Sequence, residues 1–187
     1  MAEDLTRAFI AIEFPDEVIK EVARVQEIIR NLKFTGKLTE LENLHLTLKF
    51  LGEIEQDKLK RIKERLRQIK FKEMELKLGK VGFFNFRGRP RIVWIKIFGK
   101  GIFELQKKID EALEKEGIKN EERFMGHITI ARIKYVNDKE GFGNYINRIK
   151  LKEVKFSVDG FSLKKSELRT VGPFYSNIEI YKGESDK

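Results

Sequence analysis

Both the fold and the chemistry of this chain are indicated by the segment Leu44-His45-Leu46-Thr47-Leu48-Lys49-Phe50-Leu51-Gly52. Apolar and polar residues alternate in it with a period of two, which is typical of a strand buried on one face. Leu46 and Leu48 are therefore predicted to face the core. The opposite face then carries the polar side chains of His45, Thr47 and Lys49.

The chain repeats this pattern once, in Gly126-His127-Ile128-Thr129-Ile130-Ala131-Arg132. The sequence contains two histidines in all, and each lies in a His-apolar-Thr-apolar strand. Same-face neighbours on a strand are roughly 6.5–7 Å apart, so each strand presents an imidazole beside a hydroxyl. If the two strands converge, the four groups surround a pocket of phosphate size.

Two imidazoles at one phosphorus atom suit acid–base catalysis, because the unperturbed pKa of histidine lies near neutrality. One ring takes a proton from the attacking group and the other protonates the leaving oxygen, each effect giving about 10²–10⁴-fold. The threonine hydroxyls can donate to non-bridging oxygens. Because no cluster of metal-ligand spacing accompanies the histidines, we expect metal-independent phosphoryl transfer without a cofactor. A single histidine on a polar face is more often structural, but a matched pair using both histidines favours function.

Composition limits the class of protein. With 187 residues, 41% of them hydrophobic, the chain can bury the core of one compact domain or of two small lobes. No apolar run approaches the roughly 20 residues of a membrane span, and the N-terminus does not resemble a signal peptide. The absence of cysteine excludes disulfides and thiolate metal sites. We therefore expect a cytoplasmic protein without membrane association.

The charge balance favours an anionic partner. The chain carries 39 basic and 30 acidic residues, a formal net charge of +9. Abundant lysine and glutamate are typical of hyperthermophile surfaces, which accounts for the number of charges but not for their sign. The excess of cations makes nucleic acid the first candidate.

Periodicity along the chain predicts the element order β-α-β-α-β-β-α-β-α-β-β, and hence an α+β fold. Residues 1–183 are predicted to form a single bilobal domain of two interleaved similar halves, followed by a disordered tail at residues 184–187. A loop is predicted over Phe83–Arg91, and one strand over Val154–Leu163. Phe50 and Phe124 are interpreted as core residues.

At this point the sequence resembles the 2H phosphoesterase superfamily, whose members carry two His-apolar-Thr/Ser-apolar motifs. The branch it resembles most is the RNA 2′,3′-cyclic phosphodiesterases, historically called 2′-5′ RNA ligases. Besides the two histidine stretches, the resemblance is carried by Arg7-Ala8-Phe9-Ile10-Ala11-Ile12 and by Ser166-Glu167-Leu168 before Gly172-Pro173. It covers essentially the full length.

The resemblance implies two pseudo-twofold-related, antiparallel-rich β-sheets with helices on their outer faces and an active-site cleft between them. It implies opening of a terminal 2′,3′-cyclic phosphate to a 2′-phosphate. The positions that match the family's catalytic motifs are His45, Thr47, His127 and Thr129. The sequence does not decide which histidine is the base, and our working assignment is His127 as base and His45 as acid.

Arg132 matches the cation that contacts phosphate in this branch of the family. It lies five residues after His127, so a regular strand would direct it to the opposite face, and a bulge or the strand's end must turn it. Its competing interpretation is a surface ion pair. Further candidate substrate-binding residues are Lys49 on the face of His45 and Arg87, Arg89 and Arg91 in the ring-and-cation loop, where stacking and phosphate contacts could hold RNA. The alternative interpretation of these four residues is that they are solvated surface charges.

The expected partner is RNA, tRNA-like or another RNA with a cyclic-phosphate end, bound by a monomer. Three other functions stay open. One is a 2′-5′ RNA ligase or 2′-5′-linkage nuclease of the same fold. Another is a non-catalytic RNA-binding module, and the third is a phosphodiesterase for small cyclic nucleotides.

Overall fold

The computed structural model describes residues 5–170 and 172–184 and has an α+β fold. The strands are β1 (Leu5–Ile12), β2 (Thr35–Leu38), β3 (Leu46–Glu55), β4 (Met74–Phe86), β5 (Arg89–Phe98), β6 (His127–Tyr135), β7 (Lys155–Val158), β8 (Gly160–Arg169) and β9 (Gly172–Lys182). The helices are α1 (Asp16–Arg30), α2 (Gln56–Arg67), α3 (Lys100–Glu114) and α4 (Lys139–Arg148), with a 3₁₀ turn at Leu41–Asn43.

The strands are antiparallel and follow the order β7-β4-β5-β6-β3-β1-β8-β9, with β2 paired to the free part of β6. The halves β7-β4-β5-β6 and β3-β1-β8-β9 meet at the pair Leu46 and Ile128. Both residues are fully buried and each follows one of the histidines. The predicted bilobal α+β fold is confirmed, with the sheets of the two lobes joined edge to edge where the histidine motifs meet.

The sheet curls strongly. Strand β7 borders β4 in one half and β8 borders β1 in the other, yet Asp159 alone separates them along the chain. The prediction of one strand over Val154–Leu163 was wrong for this reason. Apolar residues lie at even positions up to Val158 and at odd positions from Phe161, so the parity of the pattern marks the break.

The four helices cover the side of the sheet that is remote from the histidines. Helix α1 packs near β6, α2 against β1 and β3, α3 against β3 and β4, and α4 against β4 and β5. Their apolar stripes are buried as the periodicity predicts, for example Val18, Val22, Val25 and Ile29 in α1. Because strand side chains alternate, burial of Leu46 and Ile128 toward the helices leaves the neighbouring positions for the open face.

The predicted loop over Phe83–Arg91 is instead a β-hairpin in which β4 continues to Phe86 and β5 starts at Arg89. Its two turn residues, Arg87 and Gly88, have φ of 50° and 70°. Positive φ at both positions gives the turn whose twist matches that of the flanking strands, so a two-residue connection suffices. The sequence analysis predicted a loop because glycine and proline are typical of loops, and the pairing of the two strands was therefore missed.

The C-terminus is fixed as far as Glu184. This residue was predicted to begin the tail, but it forms a bridge with Lys72 and its backbone N–H donates to Phe71 O at 2.8 Å. Residues 185–187 of the predicted tail lie outside the described residues. In the described part of the chain, no helix is both long and apolar enough to cross a membrane.

Candidate active site

The two histidines occupy matching positions. His45 follows the 3₁₀ turn and directly precedes β3, and its Nδ1 lies 2.7 Å from Asn43 O. His127 begins β6, and its Nδ1 lies 2.8 Å from Met125 O. A carbonyl oxygen only accepts, so Nδ1 of each ring carries the proton and donates it. Nε2 of each ring is left for a substrate.

Both His-x-Thr pairs border one cavity of about 580 Å³ between the two halves of the sheet. The pairing of Leu46 with Ile128 fixes their relation. In an antiparallel register it places His45 opposite Thr129 and Thr47 opposite His127, and directly opposed residues have Cβ atoms about 4.5–5.5 Å apart. The four groups thus come together as the sequence predicted.

Aromatic rings hold both imidazoles in place. The ring of Tyr175 contacts His45 edge-on at 5.3 Å between centroids, and Phe84 contacts His127 in the same way at 5.3 Å. Phe9 packs at 4.9 Å from His45, while Trp94 packs behind Phe84. Such edge-to-face contacts restrict the orientation of the rings and exclude water from their sides. Sequence reasoning missed Tyr175, because nothing in the period-two pattern of β9 distinguishes it.

The surroundings of His45 oppose its protonation. Burial is the main cause that lowers its pKa from 6.5 to about 4, and the positive charges of Lys164 and Arg132 and the second imidazole act in the same direction. The hydrogen bond to Asn43 O acts against them. His45 is therefore neutral at pH 7 in the free protein, and its Nε2 is a proton acceptor.

A bulge in β6 brings Arg132 to the cleft. Thr129 pairs with Trp94 but Ala131 pairs with Val93, so β6 contains one extra residue at this point. Ile130 and Ala131 are consequently both buried, and Arg132 returns to the face of His127 and borders the cavity. The awkward spacing noted in the sequence is thus resolved by a bulge.

Lys49 is placed differently from the sequence prediction. A matching bulge in β3 lies between the pairs Thr47–Ala11 and Lys49–Ile10. The lysine borders the cavity but is only 4% exposed, and its ammonium ion-pairs with Asp110 at 2.6 Å. It also donates to the carbonyl of Lys119. Its charge is therefore neutralised within the protein instead of being presented to a ligand.

The three arginines of the hairpin lie apart from the cavity, whose border among the described residues includes none of them. Arg87 lies over the ring of Phe86 at 5.2 Å. Arg91 donates to Lys134 O at 2.9 Å and so ties the hairpin to β6. Arg89 pairs with Phe86 across the hairpin.

Several cleft residues were not predicted from the sequence. Phe50 was interpreted as core, yet it is 71% exposed and borders the cavity. Phe124 is half-buried and also borders it. Further bordering residues include Lys37, Arg123 and Pro173. Across residues 5–170 and 172–184, no group of three histidine, aspartate or glutamate side chains is arranged to hold a metal ion.

Comparison with known proteins identifies the family. The family model described as LigT like Phosphoesterase matches residues 12–94 and 97–175. A Methanocaldococcus jannaschii protein named RNA 2′,3′-cyclic phosphodiesterase is 35% identical over 175 residues, covering 92% of this chain and 98% of that protein.

Solved structures have the same fold. One from Thermus thermophilus gives a TM-score of 0.82 at 27% identity, covering 96% of this chain and 100% of that one. Escherichia coli LigT complexed with 3′-AMP gives 0.78 at 22% identity, with 97% and 100% coverage, and this likeness supports the fold alone. With a family model matched over most of its length and a relative of similar extent, the chain belongs to the LigT-like phosphoesterases, the 2H enzymes that its paired histidine motifs resemble.

Proposed function

We propose that this protein is a metal-independent RNA 2′,3′-cyclic phosphodiesterase that opens terminal cyclic phosphates to 2′-phosphates. The observation that carries the proposal is the pair of His-x-Thr motifs bordering one cleft, each with Nδ1 bound to a carbonyl and Nε2 free to act. The choice of substrate is supported by relatives such as the M. jannaschii protein, which is named RNA 2′,3′-cyclic phosphodiesterase.

In the proposed reaction, neutral His45 accepts a proton from water at Nε2 as the water oxygen bonds to phosphorus. The bond from phosphorus to the ribose 3′ oxygen breaks, and protonated His127 donates its Nε2 proton to that oxygen. A bound phosphodiester anion favours the charged form of a nearby imidazole, which supplies the acid. This assignment reverses the one adopted from the sequence, because the lowered pKa of His45 suits a base.

The remaining cleft groups stabilise charge. The hydroxyls of Thr47 and Thr129 donate to non-bridging oxygens, where negative charge increases in the transition state. The guanidinium of Arg132 matches a phosphate geometrically and adds a charge-assisted hydrogen bond. The positive charge of Arg132 also opposes protonation of His45 and so favours the neutral form that acts as the base.

The test is incubation of the protein with an oligoribonucleotide ending in a 2′,3′-cyclic phosphate, with and without EDTA. We expect a 2′-phosphate product, unchanged turnover with chelator, and losses of at least about 10²-fold in His45→Ala and His127→Ala. Complete loss of turnover with EDTA contradicts the metal-independent mechanism. Retained RNA affinity without turnover in the wild type identifies a binding module instead.

The same acid–base pair can run a transesterification in either direction, so 2′-5′ ligation is the second candidate activity. An acceptor oligonucleotide with a 5′-hydroxyl, added to the same assay, shows whether strands are joined. We also propose that the partner is a tRNA-like or other RNA with a cyclic-phosphate end, which the net charge of +9 supports, and that the enzyme is a monomer. A cytoplasmic location is supported by the absence of cysteine. Light scattering of the purified protein tests the monomer.

A further inference from the structure

Gln26 is a buried polar residue in the otherwise apolar stripe of α1. It lies among Val22, Val25 and Ile29, which are fully buried, and is itself only 5% exposed. A methionine would fill the same space, and burying an amide costs free energy unless the amide is hydrogen-bonded. The partners of this amide therefore indicate why a polar side chain occupies the position.

The amide of Gln26 donates to backbone carbonyls of two different segments. Its Nε2 lies 2.7 Å from Thr39 O and 2.9 Å from Ile130 O. Both acceptors are carbonyl oxygens, so both amide hydrogens are engaged. Thr39 N also donates to Ile130 O, at 3.0 Å. Helix α1 is thereby joined both to the segment that leads from β2 toward His45 and to strand β6.

Ile130 is the residue at which the pairing of β6 changes. On the edge that faces β5, Ile130 is the extra residue of the bulge. On the other edge, β6 pairs with β3 at Ile128 and with β2 from Ala131 onward. The peptide that follows Ile130 therefore lies between two regular ladders and is held by the hydrogen bonds from Gln26 and Thr39.

The same peptide decides the direction of Arg132. The bulge puts Ile130 and Ala131 both into the interior, and Arg132 returns to the cleft. Without the extra residue, Arg132 would point to the opposite face of the sheet. The other half of the molecule offers a parallel, because Asp110 of α3 holds Lys49 at the β3 bulge. In each half, a buried polar side chain of a helix thus holds the bulge that follows a His-x-Thr motif.

We propose that Gln26 is a positioning residue, which fixes the β6 bulge and thereby holds the guanidinium of Arg132 at the phosphate. This inference rests on the proposed function, in which Arg132 contacts the phosphate, and extends the machinery to a buried helix residue behind the sheet. Without the two amide donors, the peptide after Ile130 shifts and Arg132 loses its direction. A misplacement of about 1 Å, even from a change far from the chemistry, can cost about 100-fold in rate.

The test is a pair of substitutions, measured alone and together on adenosine 2′,3′-cyclic phosphate. Gln26→Met keeps the length of the side chain but has no donor, and Arg132→Met removes the guanidinium. We expect KM to rise about 10-fold in Gln26→Met and about 10- to 100-fold in Arg132→Met, because a hydrogen bond to a charged phosphate is weakened or lost. If Gln26 acts through Arg132, the double variant should match Arg132→Met within about threefold. Losses that multiply in the double variant overturn the proposal.

Glu21→Gln is the matched control, because Glu21 is also a buried polar residue of α1 but accepts from Arg24 and from Lys152 N instead of binding β6. Both variants should lower the thermal midpoint by about 3–10 °C, since each removes hydrogen bonds of a buried group. A smaller folded fraction lowers kcat without changing KM, so only Gln26→Met should raise KM. If Gln26→Met does not fold, Gln26→Asn, whose amide is one methylene too short, should raise KM in its place. An unchanged KM in the folded Gln26 variant, or an equal rise in Glu21→Gln, overturns the positioning role.

A binding measurement separates this proposal from the proposed function. Calorimetric titration with adenosine 2′-phosphate needs no turnover. If the wild type does not hydrolyse the cyclic ester, the proposed function fails, and the titration still tests Gln26. The Kd should rise about 10-fold in Gln26→Met and stay at the wild-type value in Glu21→Gln. A Kd that is unchanged in Gln26→Met overturns the inference.

Discussion

At the scale of single residues, His45 is the group whose environment changes its chemistry most. Burial, together with neighbouring positive charges, lowers its pKa to about 4. If His45 is the base, kcat/KM should stay high from neutral pH down to about pH 5 and fall only as the pH approaches 4. A pH–rate profile of the free enzyme checks this. If His45 were the acid instead, activity would fall as the pH rose above 4, because the ring would lose its proton.

The same pKa has a consequence for stability. The folded pKa lies below the unfolded value of 6.5, so between pH 6.5 and 4 the unfolded chain binds a proton that the folded chain does not. The free energy of unfolding should therefore fall as the pH is lowered through this window, by up to about 3 kcal/mol. Denaturant titrations of the wild type and His45→Gln at pH 7 and pH 4.5 isolate the contribution, because the variant lacks the titrating ring.

Lys164 is a second residue that acts on His45 by charge. Its side chain is nearly buried, ion-pairs with Glu13 and donates to Asn177 Oδ1 at 2.6 Å. It borders a smaller cavity of about 410 Å³ together with His45 and Tyr175. Its positive charge opposes protonation of the imidazole, in addition to the effect of burial.

We predict that Lys164→Met raises the pKa of His45. The pH below which kcat/KM falls should then increase by roughly half a pH unit to one pH unit. Removing the ammonium also leaves Glu13 without its cation, and a carboxylate favours the charged imidazole. Lys164→Arg keeps the positive charge, so kcat/KM should fall at the same pH as in the wild type. If kcat/KM falls at the same pH in the wild type and in both variants, the charge of Lys164 does not influence His45.

At the scale of elements, much of the architecture follows from periodicity and the rest depends on departures from it. Helices α1 to α4 and both histidine strands are predicted because their apolar spacing is regular over many residues. The bulge after Thr47 is not predictable, since it inserts one residue without changing the residue types. The bulge after Thr129 was one of two ways expected to turn Arg132 to the cleft. A one-residue shift reverses the direction of every later side chain, which is why Lys49 and Phe50 were misplaced. Arg132 was expected at the cleft only because the family resemblance implied it, and the structure places it at the border of the cavity.

The buried side of the β3 bulge joins two elements near the site. Asp110 of α3 ion-pairs with Lys49, and its Oδ2 accepts from Glu121 N at 2.7 Å and from Gln106 Nε2 at 2.9 Å. Both charged side chains are more than nine-tenths buried. The carboxylate thus fastens the segment that leads into β6, where Met125 O holds the ring of His127.

We predict that Lys49→Met and Asp110→Asn each destabilise the protein by about 3–5 kcal/mol, because each leaves an uncompensated buried charge. The double variant should lose less than the sum of the two, with a coupling of about 2–3 kcal/mol. The free energies of unfolding of the wild type, the two single variants and the double variant are measured by unfolding in guanidinium chloride. Strictly additive losses would mean that the two charges do not stabilise one another.

At the scale of the whole molecule, the two lobes present a cleft with unlike sides and a surface with a net charge of +9. Phe84 borders the cleft, and the tip of the same hairpin carries Arg87 and Arg89. Three residues along a strand span roughly 10 Å, so a mononucleotide in the cleft does not reach this tip, whereas a longer RNA can. The predicted RNA contacts of the hairpin therefore concern the chain beyond the terminal nucleotide.

This geometry predicts how salt should act. Each phosphate neutralised on a single strand adds about −0.7 to the slope of log affinity against log salt. The slope for a cyclic-phosphate-ended oligonucleotide should be steeper than for the mononucleotide. In the double variant Arg87→Gln/Arg89→Gln, the slope for the oligonucleotide should become shallower by about 1.4. Turnover of the mononucleotide should be unchanged. The measurement is kcat/KM between about 50 and 200 mM salt, where this difference amounts to roughly sevenfold. Equal slopes in variant and wild type would contradict contacts between the RNA and this hairpin tip.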